Sequence, residues 1–295
     1  MKLYYHLILA SLILVLSAFS NNLEPQMVEL DKLYYENTFE SVSELDKAII
    51  ESREETRWEI KNGYYEGIPS TIEYQKKKSG HNGSMPILNI QPPHVNFAMK
   101  FKIQFSGLGV EYKSCKIGLT RYAASLRWSK LGAFFVTNHL KDSMCETESF
   151  KLEDGKWYEC LVEVFENEML ISFNGGPHIY GNHEQLYGKH GLVPDLLKNG
   201  LPNQKVFGLF GGVGTTLRLY DLEVWSVKSD KKETWQASQK KVLDQKGLKF
   251  NQKFDRKKNE ARLSELIKKD PRNAAISKVL AEERKIKLWS RTKKN

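Results

Sequence analysis

Phe97-Ala98-Met99-Lys100-Phe101-Lys102-Ile103-Gln104-Phe105 places an apolar residue at every odd position, with Lys100, Lys102 and Gln104 between them. A period of two is the mark of a half-buried β-strand, one face packed and the other wet. Outward from this stretch the pattern recurs. Trp58-Glu59-Ile60-Lys61 alternates, Asn62-Gly63 offers a hairpin turn, and Tyr64-Tyr65-Glu66-Gly67 returns. Lys116 to Arg121 follows the same rule. Trp157 to Phe165 and Met169 to Phe173 flank Glu166-Asn167-Glu168, and Val206 to Phe210 and Leu217 to Val227 complete the series. Strands this frequent, with turn residues between them and little helical period, predict an antiparallel β-sandwich. The span 57–230 is 174 residues, a size that suits a large two-sheet jelly roll.

Composition sets the class and its exclusions. The chain has 295 residues, 40% hydrophobic and 11% aromatic, which excludes a mainly disordered or collagen-like chain. Its formal charge of +9 suggests an anionic partner until the charge is partitioned. Residues 1–56 hold 4 Lys+Arg and 10 Asp+Glu, net −6. Residues 57–230 hold 20 and 18, net +2, and residues 231–295 hold 21 and 8, net +13. The strand-rich segment is therefore near neutral and suited to uncharged ligands. The basic character belongs to the tail.

The first twenty residues read as an export signal. Lys2 precedes an apolar run from Leu7 to Leu16, and Ala18-Phe19-Ser20 offers small residues for a signal peptidase. The run is short for a membrane span, which needs ~20 apolar residues; an uncleaved N-terminal anchor is the alternative. No Cys stands just after the expected cleavage point, so no lipoprotein anchor is expected. The mature chain is expected to start near Asn21, in the periplasm or outside the cell. Export makes nucleic acid an improbable partner.

Residues 21–56 are acidic and read as one or two short helices or a covering arm. Residues 231–295 read as a basic helical tail. Asn259 to Lys269 and Ala274 to Leu288 have helical spacing, interrupted at Asp270-Pro271. The tail reads as a solvated helical hairpin, and a contact with an anionic surface is the sharper alternative. Cys115, Cys145 and Cys160 permit at most one disulfide, and Cys115 and Cys160 sit in strand-like runs as core residues. No Cys/His spacing matches a zinc site, and neither metal nor cofactor is expected.

The ordered motifs carry a likeness. Arg57-Trp58-Glu59-Ile60-Lys61-Asn62-Gly63-Tyr64-Tyr65-Glu66-Gly67 resembles the W-x-(V/I)-x-(D/N)-G-x-x-x-G strand pair that opens the 3-keto-disaccharide hydrolase domain family. Gly80-His81-Asn82-Gly83-Ser84, Phe97 to Phe105 and Asp154-Gly155-Lys156-Trp157-Tyr158 resemble its next segments. The likeness continues through Gly181-Asn182-His183-Glu184 and Lys205-Val206-Phe207-Gly208-Leu209 to Tyr220-Asp221-Leu222-Glu223-Val224-Trp225. Together these span about residues 57–228. The resemblance implies a concanavalin-like sandwich of the kind found in secreted planctomycete-type members, and a glycoside-cleaving hydrolase.

Which residues could act is a separate question. Glu159 and Glu163 share a strand face but stand ~13 Å apart, too far for a glycosidase pair. Asp221 and Glu223 stand roughly 6.6 Å apart, which fits, although Leu222 and Val224 facing inward would make them the solvent face of a strand. A 3-keto sugar has an acidified C2 proton and can lose its aglycone by elimination. That route needs a base and an electrophile rather than two carboxyls. His183 with Glu184, His81 and His139 are the candidate bases. Arg121 and Lys205 are candidates for the keto oxygen, and Trp128, Tyr122 and Tyr187 for stacking on a sugar ring. Each of these could equally be a surface-loop or core residue. A glycan-binding or cell-surface module without catalysis is the alternative function. In either case the expected partner is a neutral oligosaccharide or glycoside.

Overall fold

The computed structural model describes residues 23–40, 50–51, 56–77, 87–88, 96–108, 115–119, 124–129, 131–137, 143–166, 168–182, 207–211 and 215–250. The expected export signal and the tail beyond 250 lie outside them. Among the described residues, no helix is long and apolar enough to cross a membrane.

Two antiparallel sheets face each other. The first contains β1 (Val28–Asn37), β3 (Arg57–Lys61), β4 (Tyr64–Ile68), β6 (Phe97–Ser106), β11 (Trp157–Phe165), β12 (Glu168–Phe173), β13 (His178–Asn182) and β15 (Thr216–Lys231). Its order is β13-β12-β11-β6-β15-β4-β3, and β1 also pairs with β15. The second contains β2 (Ile50–Glu51), β5 (Ile87–Leu88), β7 (Lys116–Leu119), β8 (Ala124–Ser129), β9 (Gly132–Thr137), β10 (Ser143–Thr147), β14 (Phe207–Phe210) and β16 (Leu248–Phe250). Its order is β16-β10-β9-β8-β7-β14-β5-β2. A short helix, α1 (Ile72–Lys77), follows β4, and α2 (Trp235–Leu243) follows β15. The β-sandwich expected from the alternation is the observed architecture.

The core lies between the sheets. Phe97, Met99, Phe101, Ile103 and Phe105 of β6 are buried, as their odd positions predict. They meet Ile117, Leu126, Trp128 and Phe135 of the second sheet in one cluster. Asn62 and Gly63 adopt φ of +53° and +77°, the paired left-handed values of a type I′ hairpin turn. Cys115, Cys145 and Cys160 are buried thiols outside any disulfide.

A second cluster covers half of the first sheet's outer face. Met27 and Val28 are fully buried there with Ala98, Leu161, Leu170, Trp235 and Val242. Over Val28–Asn37 the acidic arm is a strand on β15 rather than a helix. Its register shifts three times between Val28 and Tyr35, which hides the alternation that would announce a strand. The tail begins helically at α2, then Leu248–Phe250 joins the edge of the second sheet opposite Cys145–Thr147.

Candidate functional site

The uncovered half of that outer face carries the described site. Register aligns Trp157 with Gln104, Gln104 with Arg218, and Arg218 with Glu66 in one row across β11, β6, β15 and β4. Even positions of β6, and of β15 as far as Tyr220, point away from the core, so the row is polar. Arg218 Nε donates to Glu66 Oε2 at 2.6 Å, and an Arg218 guanidinium N–H donates to Gln104 Oε1. Gln104 Nε2 donates to the Gly155 carbonyl at 2.6 Å, and Lys61 Nζ reaches Glu66 Oε1 at 3.2 Å. Burial acts to raise the Glu66 carboxyl, but Arg218 and Lys61 outweigh it and hold the group below its ordinary range.

Three rings stand over this row. Tyr64 and Trp157 meet edge to face at 5.9 Å and 65°. Trp157 and Tyr220 do so at 6.5 Å and 68°. Arg218 lies 5.3 Å over the Tyr64 ring and Lys102 lies 5.2 Å over the Tyr220 ring. Trp157 is the most open of the three, at 40% exposure. Lys102 Nζ also pairs with Asp221 Oδ2 at 2.9 Å. Burial acts to lower the Lys102 ammonium, and Asp221, with Glu159 and Tyr220 adding to it, raises it on balance. Glu159, beside Lys102 in register, accepts from Asn174 Nδ2 at 3.2 Å.

Asp221 sits on a β-bulge. Tyr220 pairs with Lys102 and Glu223 with Lys100, so Asp221 and Leu222 together face the single residue Phe101. Asp221 takes φ of +58° there. The fitting spacing of Asp221 and Glu223 therefore does not make them a poised carboxyl pair. Asp221 turns to Lys102, and Glu223 accepts from Trp225 Nε1 at 2.8 Å. Leu222 and Val224 face inward as expected.

Of the sequence-predicted residues, Trp128 is described, and it is a core residue at 1% exposure. It contacts Phe105, Phe150 and Phe173 and offers no ring face to a sugar, a correction that follows from its even parity with inward Leu126. Arg121, His81, His139, His183, Glu184, Tyr187 and Lys205 lie outside the described residues. Described strand ends near three of them in sequence do share a row. Phe207 pairs with Leu119, Leu119 with Ala124, and Ala124 with Thr137, so β7, β8, β9 and β14 meet at one end of the second sheet.

Tyr64, Trp157, Tyr220 and Lys102 are not among the residues that the sequence patterns single out. A usable cue exists: each ring shares strand parity with a charged residue, Tyr64 with Glu66, Trp157 with Glu159, Tyr220 with Arg218. An aromatic on the charged parity of a strand is one turned to the sheet's outer face, open there unless, like Phe165, it is covered by the second cluster.

Among the described residues, no group of three or more His, Cys, Asp or Glu could hold a metal ion. No family model matches the chain, and no curated protein does. Solved structures give weak likenesses. A Bacillus subtilis protein of unknown function with a galectin-like fold is 8% identical, covering 68% of this chain and 99% of that one, at a TM-score of 0.47. The VIP36 exoplasmic/lumenal domain in its Ca2+-bound form is 8% identical over 71% of this chain and 93% of that one, at 0.43. The carbohydrate-binding module CBM66 from Bacillus subtilis is 10% identical over 60% of this chain and 95% of that one, at 0.39. The sandwich rests on its own strand pairing.

Proposed function

We propose that this chain is an exported glycan-binding β-sandwich whose ligand lies across Tyr64, Trp157 and Tyr220. The observation that supports the reading is the open Trp157 indole, flanked edge-on by two tyrosines and rimmed by Lys102, Asp221 and Glu159. Sugars present apolar C–H faces that stack on rings and hydroxyls that need close polar partners, and this surface supplies both. A glycan microarray probed with the mature chain tests it. Binding that Trp157→Ala abolishes, with circular dichroism unchanged, is the expected result. A folded wild type that binds no glycan would overturn the reading. Contact of the basic tail with an anionic surface belongs to the same proposal; deleting 251–295 would then remove salt-sensitive retention on a sulfated matrix.

A second reading, cleavage of 3-keto-glycosides, draws support from the row of strand ends Phe207, Leu119, Ala124 and Thr137, which lie near Lys205, Arg121 and His139 in sequence. A base at His139 and a cation at Arg121 or Lys205 would serve the elimination. Sugar release from a 3-keto-glucoside, lost in His139→Ala, selects this reading, and no release by the folded wild type removes it.

A further inference from the structure

Resting on the glycan-binding reading, we infer that the ligand is a neutral chain and that the Lys102–Asp221 pair reads two adjacent hydroxyls beside the sugar ring stacked on Trp157.

The bulge is what assembles this subsite. In a flat strand, Tyr220 and Asp221 would point to opposite faces. With Asp221 and Leu222 both set against Phe101, Tyr220 and Asp221 are both partly exposed, and the alternation resumes with Leu222 fully buried. A ring and a carboxylate thus stand side by side on the outer face. Asp is one of the few side chains that tolerates the left-handed backbone this requires. A bulge beside a site commonly re-aims a side chain in this way.

The pair keeps spare hydrogen-bonding capacity. Lys102 Nζ and Asp221 Oδ2 are 2.9 Å apart, with side chains 38% and 33% exposed. An ammonium has three donors and a carboxylate about four acceptor sites, so one mutual bond leaves most of both free. Two neighbouring hydroxyls satisfy them together, one accepting from Nζ and the other donating to the carboxylate. Glu159, on the register partner of Lys102, offers a further acceptor on the same row.

Charge argues for a neutral chain. The two cations nearest the rings are already engaged: Arg218 by Glu66 and Gln104, Lys102 by Asp221. Lys61 is engaged by Glu66 as well. A uronate or sulfate would share cations already neutralised by carboxylates and would meet Asp221 and Glu159 as like charges. A neutral hydroxyl meets no such repulsion.

The test measures binding of cellohexaose, laminarihexaose, mannohexaose and xylohexaose against hexagalacturonate and a heparin hexasaccharide, at about 0.02 and 0.5 M salt. Trp157→Ala, Lys102→Met, Asp221→Gly and Asp221→Asn are compared with wild type, each checked for fold by circular dichroism and thermal midpoint. The expected result is salt-insensitive binding of a neutral hexaose, lost in Trp157→Ala and weakened about tenfold or more in Lys102→Met and Asp221→Gly. Should Asp221→Gly fail to fold, Lys102→Met and Asp221→Asn decide the matter, since Asn keeps the backbone geometry. Salt-sensitive binding of the uronate or heparin chain, lost in Trp157→Ala, overturns the inference and leaves the glycan-binding reading standing. So does neutral binding that Lys102→Met and Asp221→Gly leave unchanged. Binding to none of the six, or binding that survives Trp157→Ala, removes both.

Discussion

The Trp58 indole lies over Gly67, its register partner across the β3–β4 hairpin, so closely that a β-carbon at 67 would stand 2.1 Å from the ring. The ring is held in place by Tyr65, stacked on it at 5.2 Å and 8°. The first and last fixed residues of the Trp58…Gly67 motif are thus one contact. Gly67→Ala should cost about 1–3 kcal/mol in urea denaturation. Pairing it with Trp58→Phe, a smaller ring, should recover part of the loss, a coupling of about 0.5–3 kcal/mol. Additive losses would show that the contact is not what makes Gly67 necessary.

Glu163 fastens the N-terminal arm. Fully buried, it accepts from the backbone N–H of Gln26 at 3.0 Å, Met27 at 2.7 Å and Val28 at 2.9 Å. Glu163→Ala strands these buried donors, and we expect a loss of about 3 kcal/mol or more. Hydrogen exchange at the Met27 and Val28 amides should accelerate before exchange in β6 does. Normal protection at those amides would contradict the clasp.

Two buried carboxyls give stability opposite pH slopes. Burial pushes Glu163 up, with the three amides and Lys232 offsetting only part of it. Its contribution is therefore greatest below the ordinary carboxylate pKa and declines as pH rises through the raised folded value. Glu66 is held low on balance, so its contribution is present above the ordinary value and fades as pH falls through the lowered one. Melting curves across acid pH should show Glu66→Gln flattening the loss at the lowest pH and Glu163→Gln flattening the decline above it. Unchanged slopes in both variants would rule this out.

The three thiols should be silent in the native protein. Burial pushes the Cys145 thiol up to about 12 and Cys160 well above its ordinary range. Ellman's reagent should find none at neutral pH and three after denaturation. A thiol titrating in the folded state would place one of them at the surface.

Much of this fold is legible residue by residue. Phe97 to Phe105 reads correctly because β6 has one dry face and one wet face along its length. Asn62-Gly63 reads correctly because its backbone needs are local. Val28–Asn37 does not read as a strand, since its register slips and much of it is exposed. The aromatic site is hidden for another reason. Tyr64, Trp157 and Tyr220 come from strands far apart in sequence and meet only through the order β11-β6-β15-β4. The Asp221 bulge is invisible to any strict period of two.

The placement of β15 has a consequence for how the chain is made. Lying between β6 and the β4/β1 side, it is central to the first sheet, yet it comes from residues 216–231 of 295. Neither the β3–β4 hairpin nor the β1 strand can pair into the sheet until that late stretch has emerged, and the arm's amides and Trp235 close the same face from opposite ends of the sequence. Such long-range closure makes for slow folding. The first sheet therefore cannot be completed before residues 216–231 have been made.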